Sequence, residues 1–327
     1  MKKQRKNKPL ILLISILILV IVVLYSGLQF LESTVLAGEE IVQPTTASKT
    51  VTSEGVSYFP RQDITVLMIL GIDERGPVVA SDSYNNEGEC DVVMLAIFDE
   101  TAETFHVLAL NRDTMMEVPN LGLGGKYAGS FVEQLALSHT YGTGLEDSCE
   151  NTRKAVSDFL GGITIDYYLS MNMDAIPILN DAVGGVTVSV EDDFGYVDSG
   201  IPMGEVHLMG DQALTFVQIR KDVGTQLNIS RMERQRAYMN GYMEALNKQQ
   251  NQSTGFVLDV YEQISPYIVS DCSANTLSNL VSRFSSYTMG EIVSPKGENV
   301  MGEEFMEFYV DEDALNELVL QLFYTEK

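Results

Sequence analysis

Ile64-Thr-Val-Leu-Met-Ile-Leu-Gly-Ile-Asp73 is a continuous apolar run that closes on an acid. A run of this length without polar alternation predicts a strand buried on both faces, in the middle of a sheet. Asp91-Val-Val-Met-Leu-Ala-Ile-Phe98 and Thr104-Phe-His-Val-Leu-Ala-Leu110 repeat the pattern. The polar turn Asp99-Glu-Thr-Ala-Glu103 between them predicts a hairpin within the same sheet.

Downstream the period changes. Helical patterns cover about 130–140 and 147–160, followed by a strand at Tyr167-Tyr-Leu-Ser-Met171. A helix is expected from Asp174, as its cap, to Gly184-Gly185, and then the alternating strand Val186-Thr-Val-Ser-Val190. Gly210-Asp-Gln-Ala-Leu-Thr-Phe-Val217 reads as a short helix. Ser230 to Asn247 reads as a longer one, with Ser230 and Glu233 as a capping box. Helices near 255–264 and 275–286, a strand at Phe305-Met-Glu-Phe-Tyr309 and a helix at about 312–323 complete the pattern. The alternation predicts an α/β protein, an αβα sandwich whose central mixed sheet is covered on both faces.

Upstream, residues 1–9 form a basic tail: the first eight carry five positive charges and no negative one. Residues 10–31 are apolar except for Ser15, Ser26, Gly27 and Gln29. At about 1.5 Å per residue that stretch spans a hydrocarbon core of about 30 Å. The lysines before it and the acids after it place the N-terminus in the cytoplasm and the domain outside, a single-pass membrane protein. A cleaved signal peptide, cut near Val35-Leu-Ala37, is the alternative, although the apolar core is long for one. Residues 32–62, rich in Ser, Thr, Val and Glu, read as an extracellular linker, and residues 63–327 as one domain.

Forty-six acids against 21 bases give a net charge of −25. That balance argues against nucleic acid as a partner, since a phosphate backbone needs a basic footprint. The scarce cations are also clustered. Arg220, Lys221, Arg231, Arg234 and Arg236 fall within one short segment, and Arg112 stands alone behind a buried strand. Arginine grips phosphate with two parallel hydrogen bonds, so the clustering points to an anion site. Arg231, Arg234 and Gln235 share one helix face near its start, where the dipole also favours anions. An internal ion pair for Arg112 and a solvated basic face for the helix are the plainer alternatives.

Asp73 ends the first strand and Asp91 opens the second. If these strands are antiparallel neighbours, both carboxylates reach one end of the sheet, where a hard cation such as Mg²⁺ could bind. Zinc is not expected, because His106, His139 and His207 have no ligand spacing around them. Cys90, Cys149 and Cys272 are too few for a disulfide scaffold; a Cys90–Cys149 bridge and three separate thiols both remain open.

Taken together, strand-Leu-Gly-x-Asp, an aspartate before the second strand, Arg112-Asp-Thr, Gly210-Asp-Gln-Ala-Leu-Thr-Phe-Val-x-x-Arg220 and Ser230-Arg-Met-Glu-Arg-Gln-Arg236 resemble the LytR-CpsA-Psr family. The motifs cover roughly residues 63–250. The resemblance implies a Gram-positive cell-envelope transferase that moves a glycopolymer, such as teichoic acid or capsule, from a polyprenyl-pyrophosphate carrier to peptidoglycan. It implies Mg²⁺ (or Mn²⁺) on Asp73 and Asp91. Arg112, Arg220, Arg231 and Gln235 would be catalytic, and with Arg234 they would clamp the pyrophosphate. Arg112 and Arg231 would then be replaceable by alanine without loss of fold. A relative that binds the lipid or glycopolymer without efficient transfer, and a membrane-anchored interaction domain, are the alternative readings.

Three positions depart from the family pattern: Glu89 and Gln218 stand where cations are usual, and Asn228 where an acid is usual. Glu89 beside Asp91 predicts three crowded carboxylates and, to relieve them, a tight divalent-cation site.

Overall fold

The computed structural model describes residues 50–53, 55–122, 124–219, 223–224, 228–250, 260, 262–272, 280, 283–284 and 287–326. The apolar segment 10–31 lies outside them. Among the described residues no helix is long and apolar enough to cross a membrane. The described residues up to Asn172, with Ile268–Cys272 and those from Gly290 onward, form one compact unit. Those of Met173–Tyr267 and Ser273–Met289 form a second.

The first unit opens with β1 (Val51–Ser53) and β2 (Val56–Pro60), then β3 (Ile64–Ile72), β4 (Cys90–Asp99) and β5 (Thr104–Leu110). A hairpin of β6 (Met115–Leu121) and β7 (Tyr127–Gln134) follows, then a 3-10 turn (Leu135–His139), α1 (Glu146–Phe159) and β8 (Tyr167–Asn172). The second unit contributes α2 (Ala175–Ala182), the hairpin of β9 (Val186–Val190) and β10 (Gly204–Leu208), α3 (Asp211–Gln218) and α4 (Asn228–Gln250). The chain returns through β11 (Ile268–Ser270) and β12 (Thr288–Val293). It ends with the hairpin β13 (Gly297–Met301) and β14 (Met306–Val310), α5 (Glu312–Phe323) and β15 (Tyr324–Glu326).

The central sheet has six strands in the order β11-β8-β3-β4-β5-β12. β3 runs parallel to β8 and antiparallel to β4, so the sheet is mixed. The expected hairpin is β4 and β5. Val66, Met68, Leu70 and Ile72 alternate along β3 on one face, in a core with Ala155 and Val156 of α1 and Leu315, Val319 and Leu322 of α5. Leu67, pointing the other way, is equally buried. Burial on both faces is why the run shows no polar alternation. Each such side chain contributes about 1.5–3 kcal/mol relative to exposure.

Several expectations need correction. The linker does not extend to residue 62: β1 and β2 pair with each other, and β2 pairs with β15. The helix expected at 130–140 is β7 and the 3-10 turn. Phe131, Val132, Leu135 and Ala136 do mimic a helical spacing, but Phe131 and Val132 are exposed on a hairpin. Ser230 is no cap, because α4 begins at Asn228 and Ser230 is buried within it. Asp174 does occupy the N-cap of α2 but makes no side-chain capping bond. The helices expected near 255–264 and 275–286 lie largely outside the described residues. Cys90, Cys149 and Cys272 are separate buried thiols, with no bridge between Cys90 and Cys149.

Candidate active site

The register of the sheet gathers the chemistry. Ile72 pairs with Cys90, and Val93 with Leu110, so the end of β3, the start of β4 and the end of β5 meet at one end of the sheet. Asp73, Glu89, Asp91 and Arg112 therefore converge there. Asp73 N donates to Glu89 O at 2.9 Å, which fixes the two chains side by side.

Arg112 is held by a tight turn. Asn111 follows β5: its Oδ1 accepts from Asp113 N at 3.0 Å, and its carbonyl accepts from Thr114 Oγ1 at 2.6 Å. Arg112 O accepts from Ala136 N at 2.9 Å, which ties the turn to the 3-10 segment. The guanidinium then meets three acids. Its Nη1 pairs with Asp91 Oδ1, Nη2 donates to Glu89 Oε2 at 2.5 Å, and Nε lies 3.4 Å from Asp113 Oδ1. Arg112, Asp91 and Asp113 are buried, whereas the Glu89 side chain is 40% exposed. One guanidinium thus faces three carboxylates, and internal ion pairs are what the structure places on Arg112.

This also corrects the crowding argument. Glu89 does not add a third carboxylate to a metal corner; it turns onto Arg112. Among the described residues no three His, Cys, Asp or Glu side chains gather as a metal site. Asp73 is exposed, and Asp91 at the neighbouring strand end is anchored by a guanidinium. That donor set fits Mg²⁺, which takes one or two carboxylates and completes its shell with water and substrate phosphate.

Two residues not singled out from the sequence hold this corner in place. Asn86 is buried, and its Nδ2 donates to His139 O (2.8 Å), Gly142 O (3.1 Å) and Ser148 Oγ (3.1 Å). Its Oδ1 accepts from Gly88 N at 2.8 Å. His139 Nδ1 donates to Gly88 O at 2.9 Å, and burial pushes the imidazole down to about 4, so it is neutral. A Cβ at Gly88 would lie 2.8 Å from Ile72 Cγ2, so only glycine allows this approach. The sequence gives no local signal for either residue: an Asn in a polar loop and an isolated His are common.

In the second unit Arg231, Arg234 and Gln235 lie in the first turns of α4, and Arg231 and Arg234 are buried. Arg234 Nε donates to Phe216 O at 3.0 Å, Nη2 to Ile219 O, and Nη1 pairs with Asp192 at 2.6 Å. Its guanidinium also stacks over Phe194, 5.6 Å from the ring centre. Gln235 Nε2 donates to Val217 O at 3.2 Å. Both side chains therefore tie α4 to the carbonyls at the end of α3. Asp192, also unforeseen, completes the tie. Arg220 lies outside the described residues. A separate cavity of about 540 Å³ is lined by Gly185, Thr187, His207, Gly241, Glu244 and Lys248, among others.

The model of the LytR_cpsA_psr family matches residues 30–323. The polyisoprenyl-teichoic acid–peptidoglycan teichoic acid transferase TagU of Bacillus anthracis is 28% identical over 206 residues, 63% of this chain and 60% of its own. The enzyme of the same name from Halalkalibacterium halodurans is 31% identical over 206 residues, 61% and 59% of the two chains. The chain thus matches about 60% of these relatives' length. Among solved structures, protein gbs0355 of Streptococcus agalactiae superposes with a TM-score of 0.63 at 19% identity, covering 80% of this chain and 86% of that one. TagT bound to LI-WTA gives 0.58 at 20% identity, covering 80% and 90%. These likenesses show the fold.

Proposed function

The chain belongs to the LytR-CpsA-Psr family, and from that membership we propose that it is a membrane-anchored phosphotransferase of cell-wall assembly. Its donor is a glycopolymer on a polyprenyl-pyrophosphate carrier and its acceptor is peptidoglycan. Residues 10–31 are the membrane anchor, with the N-terminus in the cytoplasm and an αβα domain outside. The names of the teichoic acid transferases among its relatives support this reading.

The observation that carries it is the Arg112 corner, where a buried guanidinium and two aspartates meet at one end of the sheet. In the reaction an acceptor hydroxyl oxygen bonds to the phosphorus that carries the sugar. The P–O bond to the polyprenyl phosphate breaks, the hydroxyl proton is lost, and polyprenyl monophosphate leaves. Asp73 and Asp91 would hold Mg²⁺, which neutralises charge on the phosphates when bound. Arg112 binds phosphate oxygens and stabilises the charge that develops on the leaving group; family membership implies phosphate-binding roles for Arg220 and Arg231 as well. Arg234 and Gln235, with donors committed to α3, serve by positioning α4 and so Arg231.

A second reading, binding without efficient transfer, draws support from Glu89, which occupies a nitrogen of Arg112. One assay separates the two. The full chain in detergent is given a polyprenyl-pyrophosphate-linked saccharide, peptidoglycan and Mg²⁺. Release of polyprenyl monophosphate, stopped by EDTA, is the expected result. Lipid that binds but is not cleaved selects the second reading, and lipid that does not bind defeats both.

A further inference from the structure

The cavity of about 540 Å³ lies wholly within the second unit and takes no part in the chemistry above. Its size is that of a small-molecule site, roughly 300–1,000 Å³. Strand register and a glycine build its walls. Thr187 pairs with His207 and Ser189 with Glu205 across β9 and β10, so these four side chains share the exposed face of the hairpin. α4 touches the hairpin at Gly241, where a Cβ would lie 2.3 Å from Thr187 O. Glu244, Ala245 and Lys248, three, four and seven residues further on, continue that side of the helix and form the opposite wall.

The lining is rich in acceptors. A Cβ at Gly185 would lie 2.5 Å from His207 Nε2, so the glycine leaves that nitrogen free to donate to Gly184 O at 3.0 Å. Nδ1 of the neutral ring then accepts from Thr187 Oγ1 at 3.1 Å, which leaves the Thr187 oxygen as an acceptor for a guest. Among the described residues, Ser189 and Glu205 make no side-chain hydrogen bond, and Glu244 is met by Lys248 at 3.4 Å. Two carboxylates against one ammonium repel a phosphate-bearing chain, and the charged walls exclude a lipid tail. The guest that fits is uncharged, carries many O–H and N–H donors, and lays C–H surface on Ala245 and Val188.

Resting on the reading of peptidoglycan as the acceptor, we propose that this cleft is a saccharide-binding subsite for an uncharged, N-acetylated stretch of the acceptor glycan. Gly241 and Lys248 follow Arg231 by ten and seventeen residues, about 15 and 25 Å along α4 at about 1.5 Å per residue. The subsite therefore holds the glycan at a distance from the phosphate ligands and supplies affinity, not chemistry.

The test is calorimetry on the full chain in detergent, without lipid substrate, titrating chitotetraose and, separately, a glycerol phosphate oligomer. Wild type should bind chitotetraose at least about tenfold more tightly than the oligomer. Ala245→Phe should abolish that binding by filling the cleft. Thr187→Val and Glu205→Gln should each weaken it by about fivefold, the scale of one hydrogen bond. Denaturation of each variant checks its fold, and the two exposed positions keep the test open if Ala245→Phe does not fold. No binding of chitotetraose, equal binding of the phosphate oligomer, or binding that every folded variant leaves unchanged overturns the proposal. Chitotetraose binding that the cleft variants weaken upholds the subsite even in a protein that fails to bind or cleave the lipid. Lipid release without chitotetraose binding upholds transfer and removes the subsite.

Discussion

Arg112 and Asp91 form a buried ion pair where the end of one strand meets the start of its antiparallel neighbour. The pair cannot be treated as a surface contact. Removing the cation leaves two buried carboxylates, Asp91 and Asp113, without their main compensation.

Arg112→Ala is therefore expected to abolish transfer and also to lower stability by about 3–5 kcal/mol. This replaces the expectation from sequence that the substitution spares the fold. Arg112→Lys keeps the charge but loses the fork, so it should recover much of the stability and none of the transfer. Urea denaturation of the full chain alongside the release assay checks both. An Arg112→Ala protein as stable as wild type would mean that the ion pairs carry no weight.

Arg234→Ala should destabilise the second unit by roughly 3 kcal/mol, because Asp192 loses its buried partner and two carbonyls lose their donor. Lysine has no fork to serve Phe216, Ile219 and Asp192 together, so Arg234→Lys should fall in between. A denaturation series that leaves all three proteins alike would refute the tie between α3 and α4.

His139 predicts an acid-side loss of stability. Its folded value is depressed to about 4 against 6.5 for the free imidazole, so the unfolded chain takes up the proton first. Stability is fully present above about pH 6.5 and declines as pH falls towards 4, by up to roughly 3 kcal/mol. Asp271 acts with the opposite sign: burial raises it to about 6, so it costs stability as pH rises from 3.8 through 6. Comparing wild type with His139→Gln cancels the Asp271 contribution. Equal pH slopes between 6.5 and 4 in the two proteins would show that His139 is not held neutral.

Asp73→Asn tests the metal. Asp73 is exposed, so the fold should be unaffected while the Mg²⁺ concentration for half-maximal release rises by about tenfold or more. An unchanged Mg²⁺ dependence would remove Asp73 from the ligand set.

What was legible in the sequence follows from burial. β3, β4 and β5 are apolar on both faces, so composition alone marks them, and once they pair antiparallel Asp73 and Asp91 must share an end of the sheet. α5 was legible to its limits because a capping aspartate, Asp311, precedes a regular apolar stripe. β2 and β15 were not legible, because such short strands owe their form to each other across more than 260 residues, and β1 in turn pairs with β2. The site divides in the same way. Arg112 is conspicuous in sequence, but its contacts with Glu89, Asp91 and Asp113 arise only when the turn at Asn111 folds back beside β4. Arg234 and Gln235 stand three and four residues after Arg231, on its side of the helix, yet spacing cannot tell whether that face meets a ligand or the end of a neighbouring helix.

The small sheet of β1, β2 and β15 has a practical consequence. Val51 and Glu326 both lie opposite Tyr58, one on each side. At 4.7–4.9 Å per strand spacing the two points are roughly 10 Å apart. A linker of a few residues can therefore join residue 326 to residue 50, making a circularly permuted protein with new ends in the exposed turn between β6 and β7. The same closeness lets the segment be spliced into a surface loop of an unrelated host without stretching either chain.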